Sequence, residues 1–167
     1  MQIRDATPRD FAEILALNEA SVQFLSPLDS EHLAELHEEA AFHRVLGAEG
    51  HIDAFLLAFR EGARYDSPNY QWFAARYPRY LYIDRVVVAP AQQGQGLGRR
   101  LYENLLDFAH ASDARYVTCE FDVEPPNEAS RRFHAAFGFQ EVGTQCVGSA
   151  RKRVSLQALV VAAENAV

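Results

Sequence analysis

The chain predicts an α+β domain spanning 1–167, with a mixed, mostly antiparallel sheet of about six to seven strands flanked by about four helices. Three observations predict it. Apolar and β-branched runs of strand length recur along the whole chain. Four segments carry apolar residues at helical spacing. Between Tyr80 and Val123 one strand–helix–strand step sets two strands parallel, and the last two strand-like runs follow each other directly and so read as antiparallel.

In order, Gln2–Arg4 reads as a short strand. Thr7-Pro8-Arg9-Asp10 is a helix start: Thr7 can cap, Pro8 suits the first helical position, and Asp10 favours the dipole. Phe11, Ile14, Leu15 and Asn18 continue at helical spacing. A second helix starts at Asp29 or Ser30, with Leu33, Leu36 and Ala40 on one face. Phe42–Leu46 and Ile52–Phe59 are strands joined by a turn over Gly47–Gly50. Glu61–Pro78, rich in aromatics, Gly, Pro and Asn, is expected to be a long loop with packing of its own. Tyr80–Val88 is a strand, Gly96–Ala111 a helix with Leu97, Leu101, Leu105 and Phe108 as its stripe, and Tyr116–Val123 a strand ended by Pro125-Pro126. Asn127–Phe137 is a helix stopped by Gly138, and Phe139–Cys146 and Arg153–Val161 are the closing strands. The small, polar last residues are expected to fray.

Composition narrows the function classes. With 167 residues the chain can bury one real core. Its net charge of −7 and the lack of a long Lys/Arg block argue against a nucleic-acid partner. No apolar run reaches membrane-span length, and Met1–Phe11 does not read as a signal peptide, because Arg4 arrives early and no apolar stretch follows. Cys119 and Cys146 lack metal-ligand spacing, so no metal is expected. Both read as buried thiols of a cytoplasmic protein.

The segment that carries chemistry is Tyr82–Arg100. A β-branched strand ends at a proline and hands over, through Gln93-Gly94-Gln95-Gly96-Leu97-Gly98, to a helix start. The glycine spacing is wrong for a dinucleotide fingerprint, and Arg99-Arg100 stand where a P-loop needs Lys-Ser/Thr. A bare structural turn is a poor explanation. Two arginines in a first helical turn oppose the positive dipole end at roughly 0.3–1 kcal/mol each, and three glycines add entropic cost. A multiply charged anion on the outward N–H groups accounts for both.

The second segment is Asp122–Phe139. Pro125 and Pro126 supply no N–H and force the preceding residue extended. The strand then cannot keep pairing with its parallel neighbour. The two strands are expected to splay, freeing main-chain groups of Val86 and Val88 for a ligand that carries amides.

Together the two segments resemble the GNAT superfamily of acetyl-CoA-dependent N-acetyltransferases. Gln93-x-x-Gly96-x-Gly98 after a strand and proline looks like that family's pyrophosphate loop. Asn127-x-x-Ser130-x-x-Phe133-His134-x-x-Phe137-Gly138-Phe139 looks like its second signature. The resemblance implies an α/β-type GNAT fold with acetyl-CoA as co-substrate. The main-chain N–H groups of Gly94, Gln95, Gly96, Leu97, Gly98 and Arg99 would hold the pyrophosphate, with Gln93 opening the loop. Val86 and Val88 would pair with the pantetheine amides, and Asn127 would bond the pantetheine arm. Asn127 is equally a plain helix N-cap. Arg99 or Arg100 could reach a CoA phosphate.

The departure is His134, where the family usually carries the Tyr that protonates the leaving thiolate. His134 can act as that acid, as the base, or simply pack. The base that takes the amine's proton is expected at Asp122, directly or through water, with Asp84 and Glu120 as rivals. Strand alternation puts Glu120, Asp122 and Glu124 on one face. The aromatic loop could line the acceptor pocket, form a satellite core or meet a second subunit. The expected function is transfer of acetyl from acetyl-CoA to a primary amine, of a small molecule or a peptide, by direct attack in a ternary complex. The alternative is a CoA-binding sensor or interaction module without turnover. A homodimer through the C-terminal strands or the aromatic loop is a further expectation.

Overall fold

The computed structural model of the chain describes residues 1–22, 25–148 and 152–161. Its elements follow the order β1 (Ile3–Asp5), a 3₁₀ turn (Pro8–Asp10), α1 (Phe11–Ala20), α2 (Ser30–Glu39), β2 (Phe42–Ala48), β3 (His51–Arg60), α3 (Pro68–Ala74), β4 (Tyr80–Val88), a second 3₁₀ turn (Pro90–Gln92), α4 (Leu97–Ala111), β5 (Tyr116–Glu124), α5 (Glu128–Phe137), β6 (Gln140–Val147) and β7 (Lys152–Val160). The strands form one mixed sheet in the order β1-β2-β3-β4-β5-β7-β6. The expectation of a fraying C-terminus falls on residues 162–167, outside the described residues.

The chain divides into two compact units, Met1–Phe59 with Ile83–Asp107, and Arg60–Tyr82 with Phe108–Val167. In the first, β1, β2 and β3 are antiparallel neighbours. Ile52 to Phe59 of β3 are buried without alternation, the signature of a strand covered on both faces. Ile14 of α1, Leu33 and Leu36 of α2, and Leu101 and Leu105 of α4 are all buried. The helix start at Thr7 is a 3₁₀ turn ahead of α1, where the Thr7 N–H donates to Asp10 Oδ2 at 2.9 Å. Arg4 grips the same carboxylate with two bonds of 2.8 Å and holds its pKa down at about 2.

The β2–β3 hairpin carries a bulge between Leu46 and Gly47. Gly47 has φ +143°, and a Cβ there would lie 2.5 Å from the His51 carbonyl oxygen and 2.8 Å from Ile52 Cα. Both are backbone atoms that cannot step aside. Gly47→Ala is therefore expected to cost about 2–3 kcal/mol, read as a lowered urea midpoint. A midpoint equal to wild type would show that the hairpin does not need this geometry.

In the second unit, the start of β4 pairs parallel with β5, Tyr80 to Tyr82 against Tyr116 to Thr118. β7 lies antiparallel between β5 and β6. The segment read as a loop contains helix α3, capped by Ser67 and opened by Pro68. Two of its three aromatics form core. Tyr70 and Phe73 are buried against Tyr82, and the Tyr70 hydroxyl donates to the Arg60 carbonyl at 2.7 Å. Trp72 lies over Gly143 of β6, where a Cβ would come within 2.6 Å of its ring. Cys119 is buried as expected, but Cys146 is exposed, because β6 is the last strand of the sheet and buries little of itself.

Candidate active site

The first unit places Val86, Val88 and the glycine turn in one continuous run. Arg85 and Val87 of β4 are buried, while Val86 and Val88 alternate with them and are half-buried. Pro90–Gln92 makes the second 3₁₀ turn, and Gln93 ends it in extended conformation. The Gln93 side-chain amide lies 3.4 Å from the Val88 carbonyl. That is a weak bond, yet it departs from the expectation of a wholly free Val88.

Gly94 and Gly96 both take positive φ, +81° and +80°, with open space where a Cβ would point. Glycine is required there by backbone conformation and not by crowding. The first intrahelical bond of α4 runs from the Arg100 N–H to the Gly96 carbonyl at 3.1 Å. The N–H groups of Leu97, Gly98 and Arg99, one turn earlier, have no carbonyl within α4 to meet. The result is a run of donors at the positive end of a 15-residue helix. Arg99 is exposed and bonds Glu103 one turn on, at 2.9 Å, which offsets part of its dipole penalty. Arg100 reaches back to the Met1 carbonyl at 3.0 Å.

The second unit gathers Asp122, Asn127 and His134. The Asn127 N–H donates to the Asp122 carbonyl at 3.0 Å, tying the start of α5 to the end of β5. Asn127 Oδ1 accepts from the Ser130 N–H at 3.2 Å, so the N-cap role is real. Gly138, φ +95°, stops α5 in the left-handed conformation.

His134 is 5 % exposed, and its ring stacks on Phe121 at 5.6 Å between centroids. Its Nδ1 lies 2.7 Å from the Ser130 carbonyl and 3.2 Å from the Ser130 hydroxyl. A carbonyl can only accept, so Nδ1 carries the proton and Nε2 of the neutral ring is the basic atom. Burial lowers the pKa below the ordinary value, against a smaller upward pull from the Ser130 carbonyl. The ring is thus neutral at pH 7.

All three carboxylates considered as the base have partners. Asp84 is bonded by Arg85 Nε at 2.9 Å, and Glu120 accepts from the Tyr82 hydroxyl at 2.8–2.9 Å. Asp122, 8 % exposed, lies 3.0 Å from Lys152 Nζ. The register of β5 on β7 slips between Asp122 and Glu124, so the regular alternation predicted for Glu120, Asp122 and Glu124 is interrupted. Sequence reasoning missed Lys152, whose pairing depends on that long-range register. It also missed Ser130 as a partner of His134, which the i, i+4 spacing on one helix face could have revealed. Among the described residues, no group of three or more His, Cys, Asp and Glu side chains is placed to hold a metal ion. No described helix is long and apolar enough to cross a membrane.

Residues 11–139 match the acetyltransferase (GNAT) family, and the chain belongs to that family. A stretch of 59 residues is 46% identical to phosphinothricin N-acetyltransferase of Streptomyces coelicolor, covering 35% of this chain and 33% of that protein. Another, of 69 residues, is 38% identical to N-alpha-acetyltransferase RimI of Mycobacterium tuberculosis, covering 41% of this chain and 40% of that protein. The chain thus matches only about a third to two fifths of the length of these curated relatives. Among solved structures, yncA of Salmonella typhimurium, determined with its cofactor acetyl-CoA, matches with a TM-score of 0.73 at 22% identity, over 100% of this chain and 99% of that one. At that identity the likeness is one of fold. None of these matches supports a CoA-binding module without turnover.

Proposed function

We propose that the protein is an N-acetyltransferase that moves acetyl from acetyl-CoA to a primary amine by direct attack in a ternary complex. One observation carries this reading: the turn after β4, where Gly94 and Gly96 at positive φ lead into the outward N–H groups of α4. Those donors suit a diphosphate. The N–H groups from Gly94 to Arg99 hold the pyrophosphate, Val86 and Val88 bond the pantetheine amides, and the Asn127 NH₂ meets a carbonyl of the same arm. Acetyl-CoA supplies an activated acyl group, a thioester carbonyl open to a nucleophile.

His134 works as a proton relay. As the amine nitrogen bonds to the carbonyl carbon, its proton passes to His134 Nε2, and the imidazolium returns that proton to sulfur as the carbon–sulfur bond breaks. The Ser130 carbonyl keeps Nδ1 protonated and so leaves Nε2 to take the proton. Asp122, an anion beside Lys152, attracts the incoming ammonium and receives its first proton, directly or through water. The acceptor is a small-molecule or peptide amine. This reading places the protein in the cytoplasm, where Cys119 and Cys146 stay reduced.

The test is release of free thiol from acetyl-CoA by the full chain against a panel of amino acids, small diamines and peptides with free N-termini. Release that requires one class of amine, with an acetylated product by mass, is expected. Thiol release no faster than in buffer, with every amine, would remove the enzyme reading.

A further inference from the structure

The first unit contains a histidine pair that the proposed chemistry does not use. His37 stands in the last turn of α2 and His43 at the second position of β2, and their Nδ1 atoms are 2.8 Å apart. The rings cross edge to face at 5.0 Å. The Phe11 ring meets His37 at 5.2 Å, and the Phe55 ring meets His43 at 6.3 Å. His43 is 7 % exposed, and its Nε2 is buried with no hydrogen-bond partner among the described residues.

Two nitrogens at that separation share one proton, so one Nδ1 donates and the other accepts. The Nε2 environment decides which. A proton on His43 Nε2 would be a buried donor with nothing to meet, at a cost of about 1–3 kcal/mol. His43 therefore carries its proton on Nδ1 and donates to His37, a half-buried residue. An additional proton has no good place. On His37 Nδ1 it confronts the His43 N–H, unless His43 moves its own proton to the unpartnered Nε2. On His43 Nε2 it creates a buried cation with an unmet donor.

The groups around the pair do not relieve this. From the turn before α1, the Asp10 carboxylate acts on His43, but both its oxygens are held by Arg4. From β3, the Phe55 ring meets His43 and Leu57 lies opposite it, and neither carries a charge. On β2, the neighbouring Arg44 bonds Asn104 and Asp5. On α2, Glu35 and Glu38 are exposed to solvent.

We infer that the His37–His43 pair is an acid-sensitive fastener, which holds the last turn of α2 on the start of β2 and lets it go when the pair takes up an additional proton. Burial, with a smaller effect from His37, lowers the His43 pKa to about 4. A ring that titrates near 4 when packed and at its ordinary 6.5 when released makes local opening about thirtyfold more favourable at pH 5.0 than at pH 7.5.

The test is amide hydrogen exchange on the full chain between pH 7.5 and 5.0, corrected for intrinsic rates. Peptides covering 30–42 should lose about thirtyfold in protection, while peptides of α4 and α5 lose much less. His43→Phe, which fills the site without titrating, should flatten that loss. A fall shared equally by all peptides, or none in 30–42, would overturn the inference. If His43→Phe does not fold, ring-nitrogen NMR of the wild type decides. The inference requires His43 protonated at Nδ1 at pH 7, with its titration midpoint shared by the α2 amides. Titration near 6.5 without any change in α2 would refute it.

Discussion

Gly96→Asp is expected to raise the dissociation constant for CoA at least about 100-fold while leaving the protein folded. Gly96 takes φ +80°, and nothing lies within 4 Å of where a Cβ would stand, so a side chain there meets no wall. The conformational penalty for a residue other than glycine is about 1–2 kcal/mol, and Asp is among the residues that bear it best. The large effect is electrostatic. The new carboxylate would stand beside the N–H groups that the proposed diphosphate needs, occupying donors and repelling the ligand; a 100-fold loss corresponds to about 2.7 kcal/mol. Gly96→Ala separates the two causes, because it carries the strain without the charge and should weaken CoA by tenfold or less. Calorimetry with both variants, beside thermal unfolding, makes the measurement. CoA affinity unchanged in Gly96→Asp would show that the turn does not hold the cofactor.

His134→Ala should lower kcat by about 10²–10⁴ with CoA affinity nearly unchanged, the range expected when a proton-transferring group is removed. The pH dependence carries the sharper sign. The relay requires the neutral ring, and burial places the His134 pKa below its ordinary value. Turnover should therefore be flat from neutral pH upward and fall as pH drops through that lowered pKa. A protonated His134 acting only as the acid toward the thiolate gives the opposite limb, with turnover rising toward low pH and already weak at pH 7. The kcat profile of the wild type distinguishes the two, and an unaltered rate in His134→Ala would remove the residue from the chemistry.

Much of this architecture was legible where local signals agree. β4 runs from Tyr80 to Val88 as the β-branched stretch and the following proline predict, and α5 is bounded by Asn127 and Gly138 as cap chemistry demands. Helix α3 was hidden because it is only seven residues long, three of them aromatic, and its buried face spans a single turn from Tyr70 to Phe73. The Ser67-Pro68 start was nonetheless of the same kind as Thr7-Pro8. The exposure of Cys146 depends on β6 lying at the end of the sheet, which follows from strand order and not from its own residues.

The candidate site divides along the same line. The glycine turn could be read because three glycines and two arginines conflict with a plain helix start. Lys152, the partner of the candidate base Asp122, could not be read, since it rests on the β5–β7 register, and Arg85, the sequence neighbour that bonds Asp84, is itself held by Asn18 through the packing of α1 on β4. The pairing of His37 with His43 depends on how α2 turns into β2, which six residues of sequence do not declare.

The central claim is that the main-chain donors after β4 grip the diphosphate of coenzyme A. Crystals of the full chain grown with CoA test it most directly. The account predicts phosphate oxygens within hydrogen-bonding distance of the N–H groups between Gly94 and Arg99, with the thiol end running along Val86 and Val88. A pyrophosphate bound at any other part of the chain, with these N–H groups facing only water, would contradict it.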